Sequence, residues 1–221
     1  MNSGFLWQIL AGTLVTLKLA GAACVFGLIF GMVGAVLESI QTVWLRYLTT
    51  SVIFLIRGLP ELLILFFIYF GCTAILNELL GRYVEISPFV AGVVALGAIF
   101  GAYASQVFRG AFLAIERGQL DAGFAMGLSR LQTFTRIQIP QAWRHALPGL
   151  GNLWLVLLKD TAIVTLIGLS DLMNQSKLAA STTHQPFTFY LIAAGIYLLI
   201  TSVSQKLLNY ATVYANRYVS P

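Results

Sequence analysis

Between Ile9 and Leu37 the chain carries a single charged residue, Lys18, in a run of apolar and small side chains. A stretch of that length cannot be the face of a soluble helix, and as a helix it crosses a hydrocarbon core roughly 30 Å thick. Four more such runs follow, over 48–75, 88–108, 146–169 and 187–208. Only 10% of the residues are charged and 58% are hydrophobic, whereas a soluble domain carries roughly 25% charged residues. The runs are continuous rather than alternating, which excludes the ten-residue strands of a transmembrane barrel. The expected fold is all-α: a polytopic membrane protein with five transmembrane helices. With no basic residue before Lys18 and no small-residue cleavage site, the first span is expected to stay in the mature chain.

Orientation follows from the basic residues. With the C-terminus inside, Arg46, Arg109, Arg117, Arg130, Arg136, Arg144, Lys206 and Arg217 lie on the inner side and only Arg82 and Lys177 on the outer. This predicts a periplasmic N-terminus, a cytoplasmic C-terminus and a cytoplasmic segment between the third and fourth spans. The same basic loops account for the net charge of +5 without nucleic acid.

Much chemistry is missing. No G-x-x-x-x-G-K-[ST] loop is present, so the chain does not hydrolyse a nucleotide itself. His145 and His184 are isolated and Cys24 and Cys72 fall in different spans, which argues against a metal site. Gly127-Leu128-Ser129 and Gly168-Leu169-Ser170 each begin a nucleophile elbow and lack its closing glycine. No catalytic residue and no cofactor is assigned.

The segment 116–140 reads as two short helices: Gly127 in the left-handed position ends the first, Ser129 with Gln132 caps the second, and Pro140 closes it. Asp121 is expected in the first turn of the first helix, where the dipole favours a carboxylate, with Ala122 and Gly123 leaving a smooth surface. A docking element and a loop lying on lipid headgroups both fit this pattern. Gly27 with Gly31 and Gly97 with Gly101 read either as a packing seam or as ordinary glycine usage in membrane helices.

Charges inside the spans need partners. Arg57 and Glu61 stand one turn apart and could neutralise each other, although Gly58 and Pro60 between them predict a break in the second span. A break there offers helix-terminal N–H groups to a carboxylate, while Glu61 suits a cation. Asp160 lies well inside the fourth span, and Lys159 points about 100° away to snorkel or meet a partner. An ion-coupled secondary transporter using Glu61 or Asp160 for a proton is one reading of such carboxylates.

Asp121-Ala122-Gly123, Gly127 and Ile139-Pro140 resemble the EAA loop of ABC-importer permeases, with Asp for Glu and Gly for the second Ala. Ile56 through Glu61, Ser87-Pro88-Phe89, Gly101 through Gln106, and Trp143 through Thr161 are similar to polar amino-acid uptake permeases, and most of all to the arginine permeases of that group. The resemblance implies one permease domain over 1–221 in a bacterial inner membrane. It implies a second permease subunit, homologous or identical, two ATPase subunits docked through Asp121, Ala122, Gly123, Gly127 and Pro140, and a periplasmic binding protein. It places the substrate, a polar and basic amino acid, beside Leu59, Glu61, Tyr103, Gln106 and Asp160.

Overall fold

A computed structural model describes residues 3–217; residues 1–2 and 218–221, and with them the two chain ends, lie outside the described residues. α1 (Ser3–Ser39) turns back at 40–42 into α2 (Val43–Gly58), which stops at an extended Leu59–Pro60 pair. α3 (Glu61–Phe66), a π turn (Phe67–Gly71) and α4 (Cys72–Leu80) continue as one helical rod up to Gly81. α5 (Pro88–Leu113) starts at Ser87, whose side chain accepts the Val90 N–H, with Pro88 in the first turn, where its missing N–H costs nothing. α6 (Arg117–Ala125) and α7 (Arg130–Thr133) lead through a second π turn (Phe134–Gln138) into α8 (Ile139–Asp160). A 3₁₀ segment (Thr161–Ile167) follows, then α9 (Leu172–Thr183) and α10 (Pro186–Asn216).

Five helical segments among the described residues are long and apolar enough to cross a membrane: Gly4–Ser39, Glu61–Leu80, Pro88–Leu113, Arg130–Ile167 and Pro186–Asn216. The count agrees with the sequence, but three details differ. The second span is not one helix over 48–75. Pro60 has no N–H to give and forces Leu59 into the extended region (φ −92°, ψ 146°), so α2 stands apart from the rod that begins at Glu61. The fourth span begins far before Ala146, because Pro140 does not close a helix. It lies in the first turn of α8, where the ladder has already slipped to i→i−5 bonding, with Ile139 N–H donating to the Phe134 carbonyl. The segment between the fourth and fifth spans contains α9, whose Leu172, Ala179 and Ala180 form a second core with Ile9, Phe189 and Ala193.

α5 is the hub. In its most apolar stretch 61% of residues are buried, against 11% for α10 and for the α3–α4 rod, which leaves those two to lipid or a partner subunit. Small residues let α1 lie against it. A Cβ added at Gly27 would sit 2.7 Å from the Gly97 carbonyl oxygen, and one at Gly31 2.8 Å from that of Gly101. The two glycine pairs are therefore a packing seam, as close backbone approach in lipid requires.

Candidate functional site: a two-carboxylate cavity and a capped cytoplasmic hairpin

Glu61 is placed by the break. As the first residue of α3 it stands where the helix dipole favours a carboxylate. Leu63 and Ile64 donate their N–H groups to the Pro60 carbonyl (3.0 and 3.3 Å), leaving two amides of the first turn, those of Glu61 and Leu62, rather than four. Asp160 is placed by the opposite event, the end of α8. Thr161 turns its hydroxyl back onto the Leu158 carbonyl (2.6 Å), and the chain tightens into the 3₁₀ segment that Gly168 ends at φ +89°.

Packing of α3, α5 and α8 brings Glu61, Tyr103 and Asp160 to one cavity of about 30 Å³ whose other walls are apolar. Two carboxyl groups from different helices face the same small space, an arrangement that a cation relieves and a neutral group does not. A volume that small holds about one water, so binding an amino acid requires the helices to part.

Two of the five residues named for substrate are not there. Leu59 is in the extended linker and is 41% exposed. Gln106 turns away from Tyr103 and donates from Nε2 to Glu38 Oε2 (2.9 Å). Glu38, 3% exposed near the end of α1, also receives Ser105 Oγ (3.0 Å) and Thr50 Oγ1 (3.3 Å). It is thus a buried carboxyl group satisfied by three neutral donors that ties α1, α2 and α5 together. Sequence reasoning missed it because Glu38 follows the apolar run at Leu37 and reads there as a boundary residue. Arg57 and Glu61 do not pair within one helix, since α2 has ended; the Arg57 guanidinium carbon lies 5.1 Å from the Tyr103 ring centroid instead.

In the 116–140 segment the turn chemistry follows the sequence. Gly127 adopts φ +80°, and Leu128 and Gly127 donate back to the Gly123 and Phe124 carbonyls (3.1 and 2.9 Å), a Schellman closure. Ser129 and Gln132 form both bonds of a capping box. Asp121, however, is the fifth residue of α6 rather than in its first turn, because the helix begins earlier, at Arg117. Gly123 is not on the outer surface: it is buried, and a Cβ there would sit 2.7 Å from Ile137 Cδ1, so glycine lets α6 lie on the π turn. The outer face shows Asp121 and Ala122 with exposed Phe124, Met126 and Leu131, three apolar residues the sequence did not single out.

The profile of the family described as "binding-protein-dependent transport system inner membrane component" matches residues 23–212. The chain belongs to this family. It is the permease subunit of an ABC importer, a transport role and not an enzymatic one. It is 50% identical over 205 residues to the arginine ABC transporter permease protein ArtQ of Haemophilus influenzae, covering 93% of this chain and 92% of that one. It is 42% identical to the histidine/lysine/arginine/ornithine transport system permease protein HisQ of Escherichia coli, over 94% and 93% of the two chains. A crystal structure of an amino acid ABC transporter with histidines superposes on this permease with a TM-score of 0.82 at 32% identity, covering 96% of this chain and 99% of that one. The MetNI methionine transporter, at 16% identity and a TM-score of 0.72, shares the fold.

Proposed function

We propose that this permease conducts a cationic amino acid, arginine foremost, and that Glu61 and Asp160 hold the cation on its way through. The observation that carries the reading is their convergence, from the start of α3 and the end of α8, on one cavity walled by Tyr103. A buried cation without a counter-charge costs several kcal/mol, so acidic groups at that depth favour a basic substrate and offer a neutral one nothing. Relatives named for arginine and for histidine, lysine, arginine and ornithine support it.

The wider assembly is part of the same proposal. The chain acts as one transmembrane unit, 1–221, in a bacterial inner membrane, with its N-terminus periplasmic and its C-terminus cytoplasmic. Two ATPase subunits drive it and a periplasmic binding protein loads it. A second permease subunit, identical or related, covers the α3–α4 and α10 faces left bare here. Residues 116–140 dock the ATPase: the Schellman turn and capping box make the hairpin stiff, and Phe124, Met126 and Leu131 give it an apolar tip around Asp121 and Ala122. An ion-coupled transporter has no use for such a tip.

Reconstituted transporter carrying Glu61→Gln or Asp160→Asn is expected to lose at least tenfold in arginine uptake while the binding protein holds arginine as before. Uptake at the parental rate in both variants refutes the assignment of the site to this chain.

A further inference from the structure

Arg57 is the one charged residue of the broken span that the substrate path leaves unexplained. Its guanidinium lies over the Tyr103 ring at 5.1 Å, within the roughly 6 Å at which a cation is held by an aromatic face. Among the described residues it has no other polar partner. Tyr103 is also, with Phe100, one of two aromatic walls of the cavity that Glu61 and Asp160 share. One ring therefore serves both the chain's own guanidinium and the space where a substrate cation is read to go.

The linker allows Arg57 to move independently of that cavity. It ends α2, whereas Glu61 begins the next rod, and Gly58, extended Leu59 and Pro60 lie between them. Beyond its chain neighbours and its own helix backbone, nothing stands within 4 Å of where a Gly58 Cβ would be. The Arg57 side chain, in the last turn of α2, can thus leave the ring without displacing Glu61.

We propose that Arg57 is a tethered competitor for the substrate's cationic group. Its guanidinium holds the Tyr103 face until a substrate cation, drawn to Glu61 and Asp160, repels it and takes the ring. A neutral side chain neither repels Arg57 nor gains from the ring, so Arg57 lowers the affinity for a cation alone and keeps the bound substrate from being held too tightly to pass on. The inference rests on the reading of the cavity as the substrate site.

The test is equilibrium binding of radiolabelled arginine, and of citrulline as its uncharged analogue, to the assembled permease–ATPase complex in nanodiscs without nucleotide. Arg57→Gln should tighten arginine binding roughly 2- to 30-fold, the affinity range of one cation–aromatic contact, leave citrulline binding unchanged, and so widen the preference over citrulline. Arg57→Lys should fall between the two. Tyr103→Leu should weaken arginine binding, and in that background Arg57→Gln should have no further effect. Weakening by Arg57→Gln, no change, or equal tightening in both backgrounds overturns the proposal, the last because long-range charge would then explain it. If Glu61→Gln and Asp160→Asn leave arginine binding unaltered, or the parental complex retains no arginine, the site reading falls and this inference with it. Loss of binding in those two variants beside an unresponsive Arg57→Gln refutes the competitor alone.

Discussion

Replacing Gly27 by Ala tests how much of this fold rests on the seam between α1 and α5. The new methyl carbon would stand 2.7 Å from the Gly97 carbonyl oxygen and 2.7 Å from Phe100 Cδ1, where ordinary contact begins at 3.4 Å. A carbonyl within α5 has no rotamer to yield, so the helices must part locally by roughly 0.7 Å, or the Cα must shift as far. Overpacking of this kind costs about 1–3 kcal/mol. For a chain of this size each kcal/mol moves the melting temperature by about 2–4 °C, which gives a fall of roughly 2–12 °C. Gly31→Ala should reach the upper end, because its methyl also meets the Ser105 amide at 3.1 Å and Ser105 holds Glu38. The control is Gly21→Ala on the same helix, where nothing lies within 4 Å of the new Cβ; helix propensity alone makes it neutral or slightly stabilising. Half-buried Cys24, also in α1, reports unfolding to a thiol-reactive dye once exposed Cys72 is replaced by Ser. Gly27→Ala melting within a degree of Gly21→Ala would refute the close-approach argument.

Gly127→Pro cannot adopt φ +80° and deletes the N–H that bonds the Phe124 carbonyl, so vesicles should show inserted protein whose ATP hydrolysis is uncoupled from uptake; parental uptake rates would contradict a docking role for 116–140. Cysteines placed at Leu80 and Ser181 should label from outside intact cells while one at Ser129 does not, and labelling at 129 would reverse the proposed topology. Asp171 caps α9 by accepting the Asn174 N–H at 2.9 Å, and burial pushes its carboxyl above the ordinary 3.8. The fold thus favours the neutral acid, and stability is lost as pH rises from about 3.8 through the raised value. Asp171→Asn keeps the cap acceptor and should flatten that slope in melting scans between pH 4 and 8; an unchanged slope would place its origin elsewhere.

The two prolines of the polar motifs show where local reading works and where it stops. Pro60 breaks its span as expected, because a missing N–H and a clash with the preceding turn act within four residues. Pro140 carries the same chemistry and does not end a helix, because the π turn ahead of it had already shifted the hydrogen-bond ladder. The caps at Gly127 and Ser129 were legible for the same reason as Pro60: their bonds join residues three to five apart. Asp121 was misplaced by the position of one helix start, and Gly123 by a contact with Ile137 fourteen residues on.

Length and hydropathy by themselves determined a five-span membrane chain, since a bilayer fixes span length and each backbone must bond within its own helix. Charges inside the spans supplied Glu61 and Asp160 as separate candidates, and the resemblance to amino-acid uptake permeases added Tyr103. That these three meet while Gln106 serves Glu38 and Leu59 stays outside was decided only by the packing of α1, α2, α3, α5 and α8. Lipid tails are as apolar as leucine, so hydrophobic pattern does not say which face of a membrane helix turns inward; the fit of small residues and buried polar groups does, and that fit joins residues far apart in the chain.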